Sequence, residues 1–322
     1  MDFEREVEQS IRYLESDEAQ RALDADAYWP KWHSPWWHML LLHEMGHTAL
    51  IPETIVDRYV AALDRIPLKI FPVHPGDMPP DLDPFRGTPC HCQLGNVYQV
   101  LAARGVDVDS ALPWIRPWFL AYQMADGGLN CDNDAYLVKD ECPSSMVGTI
   151  AAFEAILLYT NRPWTAQEQT FLDKGAGFLI ARELRLGSVS KHNAAECVSA
   201  EAWTKLCFPR FYLYDVLRGL TALLAWAERT QQRLPAVGIK IVVQYLNQRF
   251  PDGNIRPGRR SFEGTKTLQQ SPGGAWLRRQ DATGFPLLDA VSIVGKVNPF
   301  LSCQWEEARQ RITKLTDGRI AP

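Results

Sequence analysis

The chain has 322 residues, of which 46% are hydrophobic, so it can bury a large core as one domain or as two small ones. Its formal net charge of −4 argues against the strongly basic surface of a nucleic-acid-binding protein. No apolar run approaches the roughly 18 residues that span a membrane, and the acidic, polar first residues do not resemble a secretory signal. We therefore expect a cytoplasmic protein with neither a transmembrane segment nor a nucleic-acid partner.

Two kinds of helical pattern alternate along the chain, and strand patterns are scarce. Segments that are apolar on nearly all faces should be buried all round, and they span residues 34–50, 91–105, 143–160, 209–228 and 285–295. Segments with one polar face span residues 52–66, 109–124, 165–184, 235–250 and 302–315, and a sixth is predicted at 2–14. The alternation predicts helix pairs in which each pair buries its apolar face against its neighbours.

An inner ring of buried helices inside an outer ring of amphipathic helices accounts for this alternation. We therefore predict an all-α fold, a single α/α-toroid domain covering residues 1–322; an open solenoid of helix pairs is the alternative. The Pro-rich segment 72–89 and the polar segment 251–284 are predicted to be long loops, which are often functional.

Short repeated motifs resemble those of a known superfamily. The segment 123–132, QMADGGLNCD, resembles the Q-x-x-D-G-G-W turn of terpene cyclases and protein prenyltransferases. The segment 269–276 fits Q-x-x-x-G-x-W, and 247–255 is a degenerate copy with one extra residue. The segment 203–224 resembles a block of small single-domain bacterial relatives. The resemblance implies a toroid that acts on an apolar or isoprenoid-like small molecule in its central cavity.

The sequence departs from these families at positions that matter for chemistry. Leu129 replaces the usual Trp of the first motif, and Gly273 replaces the usual Asp of the second. None of the D-x-D pairs in the chain continues to the D-x-D-D acid of squalene-type cyclases, and the Asp, Cys and His zinc ligands of the prenyltransferases have no clear counterpart. Neither activity is therefore transferred whole.

Cysteines point to a metal site. In a toroid the inner helices run parallel, so their amino-terminal ends meet at one end of the ring, where six of the seven cysteines are predicted to lie. We expect a site built from Cys92, Cys131 and Cys142, with Cys90, His192 or Cys197 as a further ligand. Zinc is the simplest fit to thiolates and an imidazole, with iron or an iron–sulfur cluster as alternatives. Two other interpretations are small buried residues that fill gaps and reactive thiols without metal.

The segment His43–Glu44–Met45–Gly46–His47 is a literal H-E-x-x-H, the zinc-binding helix motif of many metallopeptidases. No third ligand follows at the usual spacing, since Glu53 is too close. We favour the interpretation that the motif is one turn of a buried inner helix whose polar side chains bond to neighbouring loops.

The segment 203–220 concentrates polar residues near the predicted fourth inner helix. On that helix Asp215 and Arg218 would share a face, so Asp215 is a candidate acid or base. The alternative is a buried Asp215–Arg218 ion pair between inner helices. Tyr212 and His38 are further catalytic candidates. The candidates for substrate binding are the cations and tyrosines Lys205, Arg210, Tyr214 and Arg218 and the aromatic residues Trp36 and Trp37, which would line an apolar cavity.

The leading functional prediction is an enzyme of the terpene cyclase and prenyltransferase type with a cysteine-rich metal site. Two alternatives remain open at this point: a toroid without catalytic activity that binds a protein partner through its long loops, and an H-E-x-x-H zinc peptidase.

Overall fold

The computed structural model describes residues 3–69, 86, 89–262, 266–279 and 282–317. Helices dominate these ranges, as the periodicity predicts. The α-helices are α1 (Glu4–Leu14), α2 (Asp17–Ala25), α3 (Pro35–Glu44), α4 (Glu53–Asp64), α5 (His91–Ala103), α6 (Val108–Ala111), α7 (Ile115–Ala121), α8 (Met146–Tyr159), α9 (Ala166–Ala181), α10 (Ala195–Ala200), α11 (Val216–Thr230), α12 (Ala236–Arg249), α13 (Pro286–Val291) and α14 (Pro299–Leu315).

Short 3-10 helices and two small sheets complete the described secondary structure. The 3-10 helices span Thr48–Leu50, Asp134–Leu137 and Lys191–Asn193. Strand β1 (Leu234–Pro235) pairs in parallel with β4 (Thr316–Asp317), and β2 (Thr267–Gln270) pairs antiparallel with β3 (Trp276–Arg279). None of the described helices is both long enough and apolar enough to cross a membrane.

Local sequence signals explain where several helices begin. Thr165 and Glu168 form a reciprocal capping box at the start of α9. The side chain of Asp215 caps α11 by accepting a hydrogen bond from the backbone N–H of Arg218. Proline occupies the first turn of α3, α13 and α14, where its missing N–H has no intrahelical partner to lose.

Buried helices pack in sequence order. Helix α3 packs against α5, α5 against α8, α8 against α11, and α11 against α14. The closest approach is between α5 and α8. A Cβ added at Gly95 of α5 would lie 2.3 Å from the carbonyl carbon of Ala151 in α8, so the two backbones touch because Gly95 has no side chain. This contact fixes the position of α5, whose amino terminus carries part of the candidate site.

Three predicted helices differ from the structure. The helix predicted at 34–50 ends at Glu44, and Gly46 beyond it has the positive φ of 77° that ends helices. The pattern at 109–124 is split into α6 and α7. The helix predicted at 209–228 begins only at Val216, because Pro209 and the left-handed Phe211 (φ 54°) precede the capping Asp215. The prediction that Asp215 and Arg218 share a helix face is therefore wrong.

The two predicted loops have different outcomes. Most of segment 72–89 lies outside the described residues, except for Arg86, which pairs with Asp26 at 2.9 Å and stacks on Trp276 at 4.0 Å. Segment 251–284 contains the β2–β3 hairpin, which the sequence analysis missed. Its turn sequence, SPGG, supplies a glycine with φ of 84° at Gly274.

The repeated motifs share local geometry. The side-chain amide of Gln123 donates to the carbonyl oxygen of Gly127 at 2.9 Å, and that of Gln270 donates to Gly274 at 3.1 Å. The motif glycine has a positive φ in both copies, and so has Gly253 in the degenerate copy. In the first copy only glycine fits, since a Cβ at Gly127 would lie 2.1 Å from a backbone oxygen of α9.

Candidate metal and substrate site

Three cysteines converge at the amino terminus of α5. Cys90 is the residue that caps this helix, Cys92 lies in its first turn, and Cys131 is on the loop between α7 and α8. The three sulfur atoms lie within 4.8 Å of one another, and those of Cys90 and Cys92 are 3.2 Å apart. The backbone N–H of Cys92 also donates to the sulfur of Cys131 at 3.3 Å.

Buried hydrogen bonds hold the Cys131 loop against α5. The ring of His91 donates from Nδ1 to the carbonyl oxygen of Asn130 at 2.8 Å. The backbone N–H of Asn130 donates to the hydroxyl of Tyr136 at 2.9 Å, and its side chain accepts from the N–H of Asp132 at 2.8 Å. Burial lowers the pKa of His91 to about 4, so the ring is neutral at pH 7. These contacts fix Cys131 beside the helix.

One of the three thiols loses its proton more readily than an isolated thiol does. Hydrogen bonds from the thiols of Cys131 and Cys92 hold the pKa of Cys90 well below its ordinary value. Hydrogen bonding to Cys90 in turn raises the pKa of Cys131. One thiolate stabilised by two thiols is an arrangement suited to a cation, because metal binding displaces the remaining protons.

Lys31 and Tyr212 lie within electrostatic range of the cysteines. The Nζ of Lys31 donates to the hydroxyl of Tyr212 at 3.0 Å, and it lies 4.6 Å from the centre of that ring. It also lies between 5.2 and 5.4 Å from the rings of Tyr28, Trp29 and Trp32. Burial lowers the pKa of Lys31 to about 8, although the negative charges of Cys92 and Cys90 act in the opposite direction.

These side chains are strongly desolvated yet only partly buried. Burial raises the pKa of Tyr28 and of Tyr212, and both respond to charge on the three cysteines. Yet Tyr28, Lys31 and Tyr212 each keep some solvent-accessible surface, as do Cys90 and Cys131. Strong desolvation together with residual exposure is expected of side chains that line a narrow opening, so we interpret this region as a candidate recess. A small molecule that enters it would meet aromatic rings, an ammonium group and sulfur atoms.

The geometry of the three sulfurs suits zinc. Zn–S bonds of about 2.3 Å in a tetrahedral arrangement place two sulfurs about 3.8 Å apart. The observed separations, from 3.2 Å to at most 4.8 Å, bracket that distance. Iron–sulfur clusters take four cysteines as a rule, and the remaining four cysteines of the chain, all within the described ranges, lie outside this group. If these three thiolates held zinc, they would leave its fourth position to a non-protein ligand, as in catalytic zinc sites.

Two other predicted ligands are not part of the group. Cys142 is half-buried and interacts with the carboxylate of Asp126. Burial raises the pKa of its thiol, and the charge of Asp126 raises it further. His192 is exposed on the 3-10 helix at 191–193, where its N–H donates to Ser190. The alternative ligand Cys197 is exposed and donates to the carbonyl oxygen of Ser188 at 2.7 Å. None of these three residues belongs to the group of sulfurs that lie within 4.8 Å of one another, which contains three of the five expected ligands.

Asp215 is in a buried ion pair. It has no exposed surface, and its carboxylate accepts from the Nε of Arg210 at 2.8 Å and from the N–H of Arg218 at 2.9 Å. The guanidinium of Arg218 pairs instead with Glu154 of α8 at 2.6 Å. The alternative prediction of an Asp215–Arg218 ion pair is therefore also wrong, because Asp215 pairs with Arg210. Asp215 and both arginines serve here to join buried helices and the loop before α11.

The remaining predicted site residues contribute to packing. His38 stacks on Phe285, and burial lowers its pKa to about 3. Trp36 stacks on Tyr59 at 5.1 Å, and both rings are fully buried. Three others are spread through the fold: Trp37 donates to the carbonyl oxygen of Tyr28, Tyr214 donates to that of Leu184, and the side chain of Lys205 is exposed.

The H-E-x-x-H residues do not form a zinc-binding helix turn. Helix α3 ends at Glu44, so His43 and His47 are not one turn apart on one helix face. His43 bonds to Thr48 at 2.9 Å, and Glu44 accepts two backbone N–H groups from the loop before α11. This arrangement is the buried turn with loop contacts that the sequence analysis favours over a peptidase site.

Lys31, Tyr28 and Trp32 were not predicted as site residues, although aromatic residues are concentrated at 28–37. No signal in the sequence marks Lys31, because its hydrogen-bond partner Tyr212 lies 181 positions away. Comparison with family models, curated proteins and solved structures finds no match to this chain.

Proposed function

We propose that the protein is a zinc-dependent enzyme whose metal ion is held by Cys90, Cys92 and Cys131 and whose substrate enters the adjoining recess. The observation that carries this proposal is the convergence of three sulfurs from two separate segments beside the Lys31–Tyr212 pair. A purely structural zinc site normally has four protein ligands. Three ligands near partly exposed side chains are better suited to catalysis.

Zinc in such a site acts as a Lewis acid at its open position. The residues of the chain would supply the rest of the chemistry. The ammonium group of Lys31 can neutralise an anionic group of the substrate, and with its lowered pKa it can also accept or donate a proton near neutral pH. The hydroxyl of Tyr212 keeps that ammonium group in place.

The aromatic walls favour an apolar or cationic reacting group. Rings of Tyr28, Trp29, Trp32 and Tyr212 surround the ammonium of Lys31, and the same π-faces can stabilise positive charge on a substrate. Together with the resemblance of the repeated turns to terpene cyclases and prenyltransferases, this environment supports an isoprenoid-like substrate with an anionic leaving group.

We further propose that the helices form the α/α toroid expected from the sequence. The succession of contacts from α3 through α5, α8 and α11 to α14 supports a ring of inner helices. The shared hydrogen bond and the positive φ in the motif turns at Gly127 and Gly274 support the repeat assignment.

The test is a product assay with prenyl diphosphates of different chain length, followed by mass spectrometry. Zinc-loaded protein should convert at least one of them, and Cys131→Ser and Lys31→Met should abolish the conversion. Cys303→Ser, on the exposed face of α14, is the matched control and should retain it. Conversion that survives in Cys131→Ser would contradict a catalytic role for the metal, and conversion of none of the diphosphates would reject the substrate class.

A further inference from the structure

The Glu44 carboxylate lies at the end of α3 and binds the backbone of the segment just before α11. Its two oxygens accept backbone hydrogen bonds from Arg210 at 2.7 Å and from Phe211 at 2.6 Å. Burial raises the pKa of Glu44 to about 6, while the two N–H groups and the nearby arginines lower it. Each carboxylate oxygen of Glu44 therefore binds one backbone N–H group of this segment.

Arg218 holds the same stretch from the other side. Its Nη1 donates to the carbonyl oxygens of Phe211 at 3.0 Å and of Leu213 at 2.9 Å. Its own orientation is set by Glu154 of α8 and by Asn96 of α5. Side chains from α3, α5, α8 and α11 therefore cooperate in fixing three residues that have no regular secondary structure.

The held segment adopts a conformation that it would not keep by itself. Phe211 has a φ of 54°, in the left-handed region that costs energy for any residue with a Cβ atom. Its ring is buried, stacked on Trp32 and edge-on to Trp37 at 5.1 Å from each. Such a conformation persists only while the surrounding contacts impose it.

Tyr212 is the next residue along the chain. Its ring packs over Trp32 at 5.9 Å, and its hydroxyl accepts the hydrogen bond from Lys31. A change in the conformation of Phe211 would swing Tyr212 away from Lys31, because the two residues share a peptide bond. The position of the Lys31–Tyr212 pair thus depends on contacts made at the far end of α3.

We propose that Glu44 is a positioning residue for the candidate recess. Its hydrogen bonds to the backbone of Arg210 and Phe211 keep the hydroxyl of Tyr212 in contact with Lys31, near the three cysteines. The assignment gives a role to the acidic residue of the H-E-x-x-H segment without a metal at that segment. It depends on the proposed function only in the importance that it gives to the Lys31–Tyr212 pair.

The test measures the reactivity of the Lys31 amine. Purified protein is acetylated briefly with acetic anhydride over a range of pH values, and modification of Lys31 and of the exposed Lys205 is quantified by peptide mass spectrometry. The pH midpoint reports the pKa of the amine, whereas better access of reagent alone changes the rate and leaves the midpoint unchanged. Zinc content is measured on the same samples.

Glu44→Gln presents one N–H₂ group to the two backbone N–H groups and should release the segment. Because burial is what lowers the pKa of Lys31, displacement of the Tyr212 ring should admit water and raise the midpoint from about 8 toward the ordinary 10.5. A rise of one unit lowers the neutral fraction, and hence the rate at pH 7, about tenfold. Tyr212→Phe keeps the ring but removes the acceptor of the ammonium's hydrogen bond, so it should lower the midpoint instead, and Lys205 should be unchanged in both variants. An unchanged midpoint for Lys31 in folded Glu44→Gln overturns the proposal.

A second variant, Glu44→Asp, provides the same test if the Glu44→Gln protein does not fold. Glu44→Asp keeps the buried negative charge but withdraws both oxygens by one methylene, so the midpoint for Lys31 should again rise; a folded Glu44→Asp protein with an unchanged midpoint also overturns the proposal. Wild-type protein that binds no zinc, yet shows the shift on substitution of Glu44, would reject the proposed function and leave this inference intact.

Discussion

The contact between α5 and α8 makes a quantitative prediction through Gly95. A Cβ at this position would lie 2.3 Å from the carbonyl carbon of Ala151 and 2.4 Å from the nitrogen of Ala152. Ordinary contacts begin at 3.4 Å, so the helices must separate by about 1 Å, and neither atom belongs to a side chain that could rotate away. Overpacking of this kind costs about 3 kcal/mol at the upper end of its usual range.

Gly95→Ala should therefore destabilise the protein despite its better helix propensity. In a helix interior, alanine is more stable than glycine by about 1 kcal/mol, so the free energy of unfolding should fall by a net amount of about 2 kcal/mol. Gly177 in α9 is the matched control, since a Cβ there meets no atom within 4 Å. Gly177→Ala should gain up to about 1 kcal/mol, so the two variants should differ by about 3 kcal/mol.

The assay is urea denaturation followed by circular dichroism, with free energies compared at equal slopes. Equal stability of the two alanine variants would refute the close approach of α5 and α8. A second readout follows from the site, because Cys92 lies one turn before Gly95 on α5. Separation of the helices should weaken metal binding in Gly95→Ala and leave it unchanged in Gly177→Ala.

Two further predictions concern buried charges. Burial raises the pKa of Glu168, but a hydrogen bond from Arg162, the capping N–H groups and the charge of Arg116 outweigh it and hold the pKa at about 2. Its stabilising contribution is complete above pH 4.5 and is lost as the pH falls toward 2, so Glu168→Gln should flatten the dependence of the urea midpoint on pH in that window. Asp215→Asn removes the partner of buried Arg210 and should cost about 3–5 kcal/mol in the same assay; a loss below about 1 kcal/mol would contradict a buried ion pair.

Apolar periodicity was sufficient to predict most of the helices. The patterns at 91–105 and 143–160 correspond to α5 and α8 within a few residues, because helices buried on all sides leave little room for polar positions. The same signal failed at 209–215, where Phe211 and Tyr214 are as apolar as helix core. Those rings are buried by residues distant in sequence, so local composition could not reveal that the backbone there is irregular.

The candidate site was predictable only in part. Cys90 and Cys92 are neighbours in sequence, and a helix amino terminus at Cys90 followed from the periodicity. Cys131 was also expected at the site, but the hydrogen bond between Asn130 and His91 that holds its loop against α5 is not encoded by any spacing rule. Lys31 gave no signal at all, because the burial that lowers its pKa is produced only by the fold.

Zinc content is the measurement that tests the central proposal most directly. Protein purified without added metal, then loaded with one equivalent of zinc and passed over a desalting column, is measured by inductively coupled plasma mass spectrometry. We expect about one zinc per chain in the wild type and in Cys303→Ser and Cys142→Ser, whose sulfurs lie outside the group of three. Cys131→Ser should lose the metal. Zinc retained in Cys131→Ser, or absent from the wild type, would contradict a metal site at these three cysteines.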